Sequence, residues 1–272
     1  MHVADGLLPA PVCIGGYGVT GLITWAVLRQ IDRRSNPSAE IPKASLLTAA
    51  FFVSSSLYIP IPPVSVHLVL NGLLGAILGL YAFPAVLIGL LFQALVFGHG
   101  GLSTLGVNAL IMGVPALVAA QIFRWGIPDR PPNLPPPNLP QPNFPQPSFA
   151  QTNLPPPNSP QINISPPERP QPGLLQPNGS QANSNLAYRW KLGFWSFIAA
   201  ACGVGLAVLF FFGVILTTIP LGVAGSQERQ LLWGLLLAHG PVIVLEGLFT
   251  VLVVLFLDRV KPSLLPCSRR HG

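Results

Sequence analysis

The chain has 272 residues, of which half are hydrophobic and only 8% are charged, with a formal net charge of +6 and a mean hydropathy of +0.58. A soluble globular domain carries about a quarter of its residues as charges, so that class is excluded and the chain reads as an integral membrane protein. The basic balance is explained below by membrane topology, and nucleic acid is not implied as a partner.

The chain opens Met1-His2-Val3-Ala4-Asp5-Gly6-Leu7-Leu8-Pro9. A start of Met1-His2 brings an α-amine, a backbone amide nitrogen and an imidazole within one residue of each other. A metal bound to all three closes two fused chelate rings, with three nitrogens nearly in one plane. Such donors suit square-planar Ni(II) and Cu(II), and imidazole also suits Co(II), whereas Mg and Ca prefer oxygen. A fourth donor is needed. A frayed, solvated terminus is the competing reading of the same dipeptide. Asp5 stands just before the first helix, either as its cap or as an anchor that folds residues 1–8 back into the bundle. The part before the first apolar run holds Asp5 and no Lys or Arg, the reverse of a secretory signal, so the first methionine is expected to stay in place.

Apolar runs of about 20 residues mark membrane spans. Seven are expected, at roughly 9–29, 44–60, 64–81, 84–98, 104–125, 190–217 and 231–257, giving an all-α integral membrane protein built as a bundle of seven transmembrane helices. With the N terminus outside and the C terminus cytoplasmic, every Lys and Arg except Arg229 falls on or beside the cytoplasmic loops, as the positive-inside rule requires. Glycines at 15, 16, 18 and 21 predict close packing of the first helix.

The second span ends in Tyr58-Ile59-Pro60-Ile61-Pro62-Pro63, an external turn that leads to Ser65-Val66-His67-Leu68. His67 is expected at the outer end of helix three, either hydrogen-bonded structurally or as the missing fourth ligand. Asn71, one helical turn below, could orient that ring. Gly75 and Gly79 are spaced as a small-residue packing face. Between helices four and five, Gly98-His99-Gly100-Gly101-Leu102-Ser103-Thr104-Leu105-Gly106-Val107-Asn108 forms an external loop in which Ser103 or Thr104 can cap helix five. His99 could ligate, support a ligand or face solvent. Cys13, Cys202 and Cys267 suggest neither a disulfide framework nor a thiolate site.

Residues 127–188 hold 19 of the 32 prolines and read as a proline-rich cytoplasmic linker that cannot build a core. The chain thus divides into an N-terminal membrane portion at 1–126, the linker, and helices six and seven with a basic tail at 189–272. In helix seven, His239 and Glu246 lie seven residues apart on one face. Ionisable groups at membrane depth read as functional.

The opening nonapeptide, the stretch Ser65-Val66-His67-Leu68-Val69-Leu70-Asn71-Gly72, the loop from Gly98 to Asn108 and the run from Ala238-His239-Gly240-Pro241 to Glu246-Gly247 together resemble the CbiM/NikM family. These are substrate-binding membrane subunits of energy-coupling-factor transporters for cobalt and nickel. The resemblance implies that the N-terminal segment plugs a central pocket, and that the Met1 amine, the His2 amide nitrogen and imidazole and the His67 ring bind Co(II) or Ni(II) as transported substrate, with no organic cofactor. Asp5, Asn71, His99, His239 and Glu246 would support that site. Implied partners are a CbiN/NikN-like small membrane subunit, a CbiQ-like coupling protein and a CbiO-like ATPase, in the cell inner membrane. The chain has no phosphate-binding loop, so ATP would be hydrolysed by a partner. Cobalt is slightly preferred, supplying cobalamin biosynthesis; nickel uptake for nickel enzymes is the alternative. The long 127–188 insert departs from the family. Two readings from other classes are an intramembrane metal-dependent hydrolase using His99, His239 and Glu246, for which no HExxH spacing exists, and a self-sufficient channel or carrier.

Overall fold

The structure is a computed structural model that describes residues 2–55, 58–61, 64–131, 179–218 and 226–266, with backbone alone at 58–61, 64–67, 179–182, 226–233, 235 and 238. Met1, the side chain of His67, most of the proline-rich insert and the basic tail beyond 266 lie outside the described residues.

Among the described residues seven α-helices form the body: α1 Ala10–Asp32, α2 Ile41–Ser55, α3 Asn71–Leu78, α4 Ala82–Phe97, α5 Leu105–Gly126, α6 Gly179–Thr218 and α7 Ser226–Val260. Five helical stretches among the described residues are long and apolar enough to cross a membrane, with α3 and α4 together forming one of them, Asn71–Phe97. At 1.5 Å per residue, the 15 residues of α2 span only about 22 Å, short of a hydrocarbon core of about 30 Å.

The expected all-helical bundle has one departure. Residues expected to end the second span and turn (58–61) and to begin helix three (64–67) instead form a hairpin, β1 Tyr58–Ile61 against β2 Val64–His67, antiparallel, with Tyr58 opposite His67. The physical reason lies in Pro60, Pro62 and Pro63, which withhold helix donors and bar the α region to the residue before each, and in the alternating β-branched Val64 and Val66. Helix α3 starts only at Asn71, after Leu70 adopts a left-handed backbone with φ of 51°. His67 is therefore at the end of a strand, and Asn71 is not one helical turn below it.

All eight residues of α3 are buried, and it packs against both α5 and α6. Gly75 allows this: a Cβ there would sit 2.1 Å from the Ala116 carbonyl oxygen, and one on Gly72 would sit 2.5 Å from Ala200 Cα. Gly79 plays another part. Its φ of +60° closes α3, and a Cβ there would meet nothing, so the expected Gly75/Gly79 packing face reduces to Gly75. Likewise Gly16 in α1 meets Val107, whereas Gly15, Gly18 and Gly21 face open space.

Helix α6 begins at Gly179, inside the stretch expected as linker, because the prolines stop at Pro177 and nothing beyond bars a helix. The two ends of the insert meet at one carboxylate. Tyr188 donates its hydroxyl to Asp258 at 3.0 Å, and Arg130 lies 4.0 Å from the same oxygen. Tyr188 of α6, Asp258 near the end of α7 and Arg130 just beyond α5 are thus joined.

Candidate functional site

Residues 2–8 run as a strap across the start of α5 and the loop before it. Val3 is fully buried, and its peptide is held on both sides by one side chain. The Val3 N–H donates to Asn108 Oδ1 at 2.9 Å, while Asn108 Nδ2 donates to the Val3 carbonyl at 3.0 Å. The Thr104 hydroxyl lies 2.8 Å from that carbonyl and 2.6 Å from the Gly100 carbonyl, so it can serve either. Thr104 stands at the N-cap of α5 but makes no side-chain cap bond; its hydroxyl serves the strap and accepts from Asn108 Nδ2 at 3.2 Å in place of the expected capping role.

Asp5 does not cap α1, whose N-cap is Pro9 with no side-chain cap. Its carboxylate instead receives the Leu102 N–H at 3.2 Å, the Ser103 N–H at 3.0 Å and the Ser103 hydroxyl. Close approach depends on two glycines with positive φ, +81° at Gly100 and +92° at Gly101. A Cβ on Gly101 would fall 2.0 Å from the Asp5 carboxyl carbon, and one on Gly100 would be 2.9 Å from Asn108 Nδ2 and 3.4 Å from the His2 ring.

These hydrogen bonds, chiefly the one from the Ser103 hydroxyl, hold the Asp5 carboxyl below its ordinary value of 3.8. A group whose folded value is depressed stabilises the fold fully above its unfolded value and loses that contribution as pH falls through the folded one. The anchor is therefore expected to be pH-independent from neutrality to about 4 and to weaken only below. Carboxyl NMR titration in detergent should give an Asp5 midpoint under 3.8 that rises in Ser103→Ala; a midpoint at or above 3.8 in the wild type would contradict the anchor.

The strap also carries His2, half-buried, whose ring stands edge-on to that of His99 with centroids 6.4 Å apart and an interplanar angle of 78°. His2, Asp5 and His99 are thus brought to one place by the 98–104 loop. A second group forms around the turn that follows His67. Glu246, 1% exposed on α7, accepts the N–H groups of Val69 and of Leu70, the latter at 2.9 Å. Asn71 Nδ2 reaches the carbonyls of Met112 at 3.4 Å and Gly203 at 3.2 Å, tying α3 to α5 and α6. His239 is buried two turns before Glu246 on α7.

Helix α5 joins the two groups. Thr104, Asn108 and Met112 recur at four-residue intervals and so share a face, with successive turns 5.4 Å apart. Asn108 holds the strap one residue after His2, and Met112 holds Asn71 four residues after His67. The hydrolase reading fares differently: His99, His239 and Glu246 form no metal-holding group, and among the described residues no three His, Cys, Asp or Glu side chains do. Glu246 is engaged with backbone instead. The sequence offered Thr104 only as a cap and Asn108 only as the end of the loop motif, and neither as a holder of the strap. The available signal was a pair of polar side chains at i and i+4 opening an otherwise apolar helix.

Residues 2–133 and 179–264 match the family described as CbiM, cobalt uptake substrate-specific transmembrane region. The match leaves out the proline-rich insert. A cobalt transport protein CbiM of Roseiflexus sp. (strain RS-1) is 41% identical over 137 residues, covering 48% of this chain and 54% of its own length. A fused nickel transport protein NikMN of Rhodobacter capsulatus is 33% identical over 129 residues, covering 46% of this chain and 37% of its own. The chain spans about half the length of the curated relatives it matches. In fold it is similar to a truncated transition metal transporter of known crystal structure, with a TM-score of 0.57 at 17% identity over 94% of this chain and 98% of that one. The matched residues cover most of both membrane portions, and with the apolar helices they make this a multi-pass membrane protein that belongs to the CbiM family.

Proposed function

We propose that the chain is the substrate-capturing membrane subunit of an ATP-driven energy-coupling-factor importer for Co(II), with Ni(II) as the alternative substrate. In this reading Met1 contributes its amine, His2 its amide nitrogen and imidazole, and His67 the fourth nitrogen, a set suited to square-planar coordination. Asp5, Asn71, His99, His239 and Glu246 hold that arrangement. The observation that carries the reading is the Val3 peptide clasped by Asn108 one helical turn from Met112, which fixes the strap beside the segment that follows His67. Relatives named for cobalt and for nickel support the pair of ions.

The bundle is read as crossing the inner membrane seven times with the N terminus outside, α2 tilted or thinned into place and the eight-residue α3 crossing only together with the segment that precedes it. The part of the 127–188 linker ahead of α6, which starts at Gly179, stays cytoplasmic between the two membrane portions. A relative named as a fused NikMN protein supports a small N-type membrane partner. A coupling protein and a separate ATPase complete the importer, which supplies cobalamin biosynthesis when cobalt is carried.

The test is one added residue. A glycine placed ahead of Met1 converts the amine to an amide and moves it outside chelating distance, so tight Ni(II) and Co(II) binding to purified protein is expected to vanish while the fold survives. Because ligands must shed protons, affinity in the native chain should also fall as pH drops through the imidazole range. Equal affinity of extended and native chains would defeat the proposal.

A further inference from the structure

A groove of about 870 Å³ runs along the outside of the bundle between α2 and α4, opening at the end of α1. Its walls are apolar, among them Ala44, Ala49, Phe52, Ile88 and Phe92, and the buried Tyr81 lines the end nearest the turn after α1. From Pro84 to Val96 the groove follows thirteen residues of α4, roughly 18 Å over the intervening steps of 1.5 Å. That matches one leaflet of a hydrocarbon core about 30 Å thick.

Charge at the mouth selects among occupants. Arg34 lies over the Tyr81 ring at 5.6 Å, and Tyr81 donates its hydroxyl to the Pro37 carbonyl at 2.7 Å, which brings the basic turn after α1 against the groove. Arg33 precedes Arg34 in that turn, whereas Arg29 lies over the Trp25 ring and Lys43 is paired with Glu40 and donates to the Leu264 carbonyl. Arg33 and Arg34 are exposed. An apolar channel one leaflet long that ends at exposed guanidinium groups fits a molecule with an acyl chain and an anionic head.

We infer that the α2–α4 groove is a binding site for an anionic phospholipid, its acyl chain along Ala49, Phe52 and Ile88 and its phosphate on Arg34 and Arg33. The site is independent of the metal reading and is assayed without metal, so either can fail alone. Cations near a membrane surface each contribute about fivefold to anionic-lipid binding.

The experiment is native mass spectrometry of the full chain released from nanodiscs holding equal phosphatidylglycerol and phosphatidylcholine. Phosphatidylglycerol is expected to be retained over phosphatidylcholine by about fivefold or more. Arg34→Gln should lower its retention about fivefold, and Arg33→Gln with Arg34→Gln about 25-fold. Ile88→Trp, at an outward-facing position, should fill the groove and release both lipids with the melting temperature unchanged. Equal retention of the two lipids by the wild type would overturn the inference, as would retention that ignores the arginine substitutions. Disulfide-linked dimers through Ile88→Cys, or loss of a co-purifying membrane protein in Ile88→Trp with lipid retention intact, would assign the groove to a protein and overturn it as well.

Discussion

Glu246→Ala is expected to lower the melting temperature of the protein sharply and to abolish metal capture together with it. The carboxylate is 1% exposed and serves the backbone N–H groups of Val69 and Leu70, which precede the first turn of α3 and find no carbonyl partner there. Removing it strands two buried donors at about 1–3 kcal/mol each, so roughly 2–6 kcal/mol is lost from a fold whose total is about 5–15 kcal/mol. The left-handed Leu70, with φ of 51°, adds to the need: a non-glycine residue in that region persists only where its surroundings hold it. The carboxyl also stands at the positive end of the α3 dipole. Glu246→Gln keeps one acceptor oxygen and turns an amide N–H₂ toward the other donor, so it should fall between wild type and alanine in both melting temperature and affinity. Alanine and glutamine variants that melt with the wild type would show that the α3 start holds itself.

The helices were legible from the sequence where apolar length alone decides the outcome. Runs at 9–29, 104–125, 190–217 and 231–257 correspond to α1, α5, α6 and α7 because a buried or lipid-facing helix needs only continuous hydrophobicity. The 58–70 region was misread because hydropathy is blind to period: Val64-Ser65-Val66-His67 is as apolar as a helix start but alternates as a strand, and the flanking prolines decide for the strand. Among site residues, Asp5 was legible as a choice between cap and anchor, and only the fold could decide, since the partner N–H groups of Leu102 and Ser103 stand about a hundred residues away. Glu246 was legible as costly at membrane depth. Its partners were not, because they are main-chain groups that any residue could have supplied. Asn108 was hidden for the same reason. The strap it holds is read through the Val3 backbone, and no complementarity between side chains announces it.

Asn108→Ala should release that strap. One amide satisfies both the N–H and the carbonyl of Val3, at 2.9 and 3.0 Å, in a place where Val3 is wholly excluded from solvent. Water does not replace these bonds unless the strap lifts. Thr104 retains its bond to the carbonyl, so one buried group, the Val3 N–H, is left without a partner and the clasped state loses roughly 1–3 kcal/mol. Under the proposed capture mechanism this is a loss of about 5- to 140-fold in affinity for Ni(II) or Co(II), at 1.4 kcal/mol per tenfold, because the donors of Met1 and His2 must then be ordered at the expense of binding energy. Asn108→Asp separates the two bonds. It keeps an acceptor for the Val3 N–H but sets a carboxylate oxygen against the Val3 carbonyl, so it should bind metal no better than alanine while leaving α5 as stable as before. Amide exchange at Val3 gives a readout that needs no metal, with protection falling in both variants and surviving in Asn71→Ala, which loosens α3 instead. If Val3 remains protected in Asn108→Ala, the strap is held elsewhere and the link from α5 to the metal site is broken.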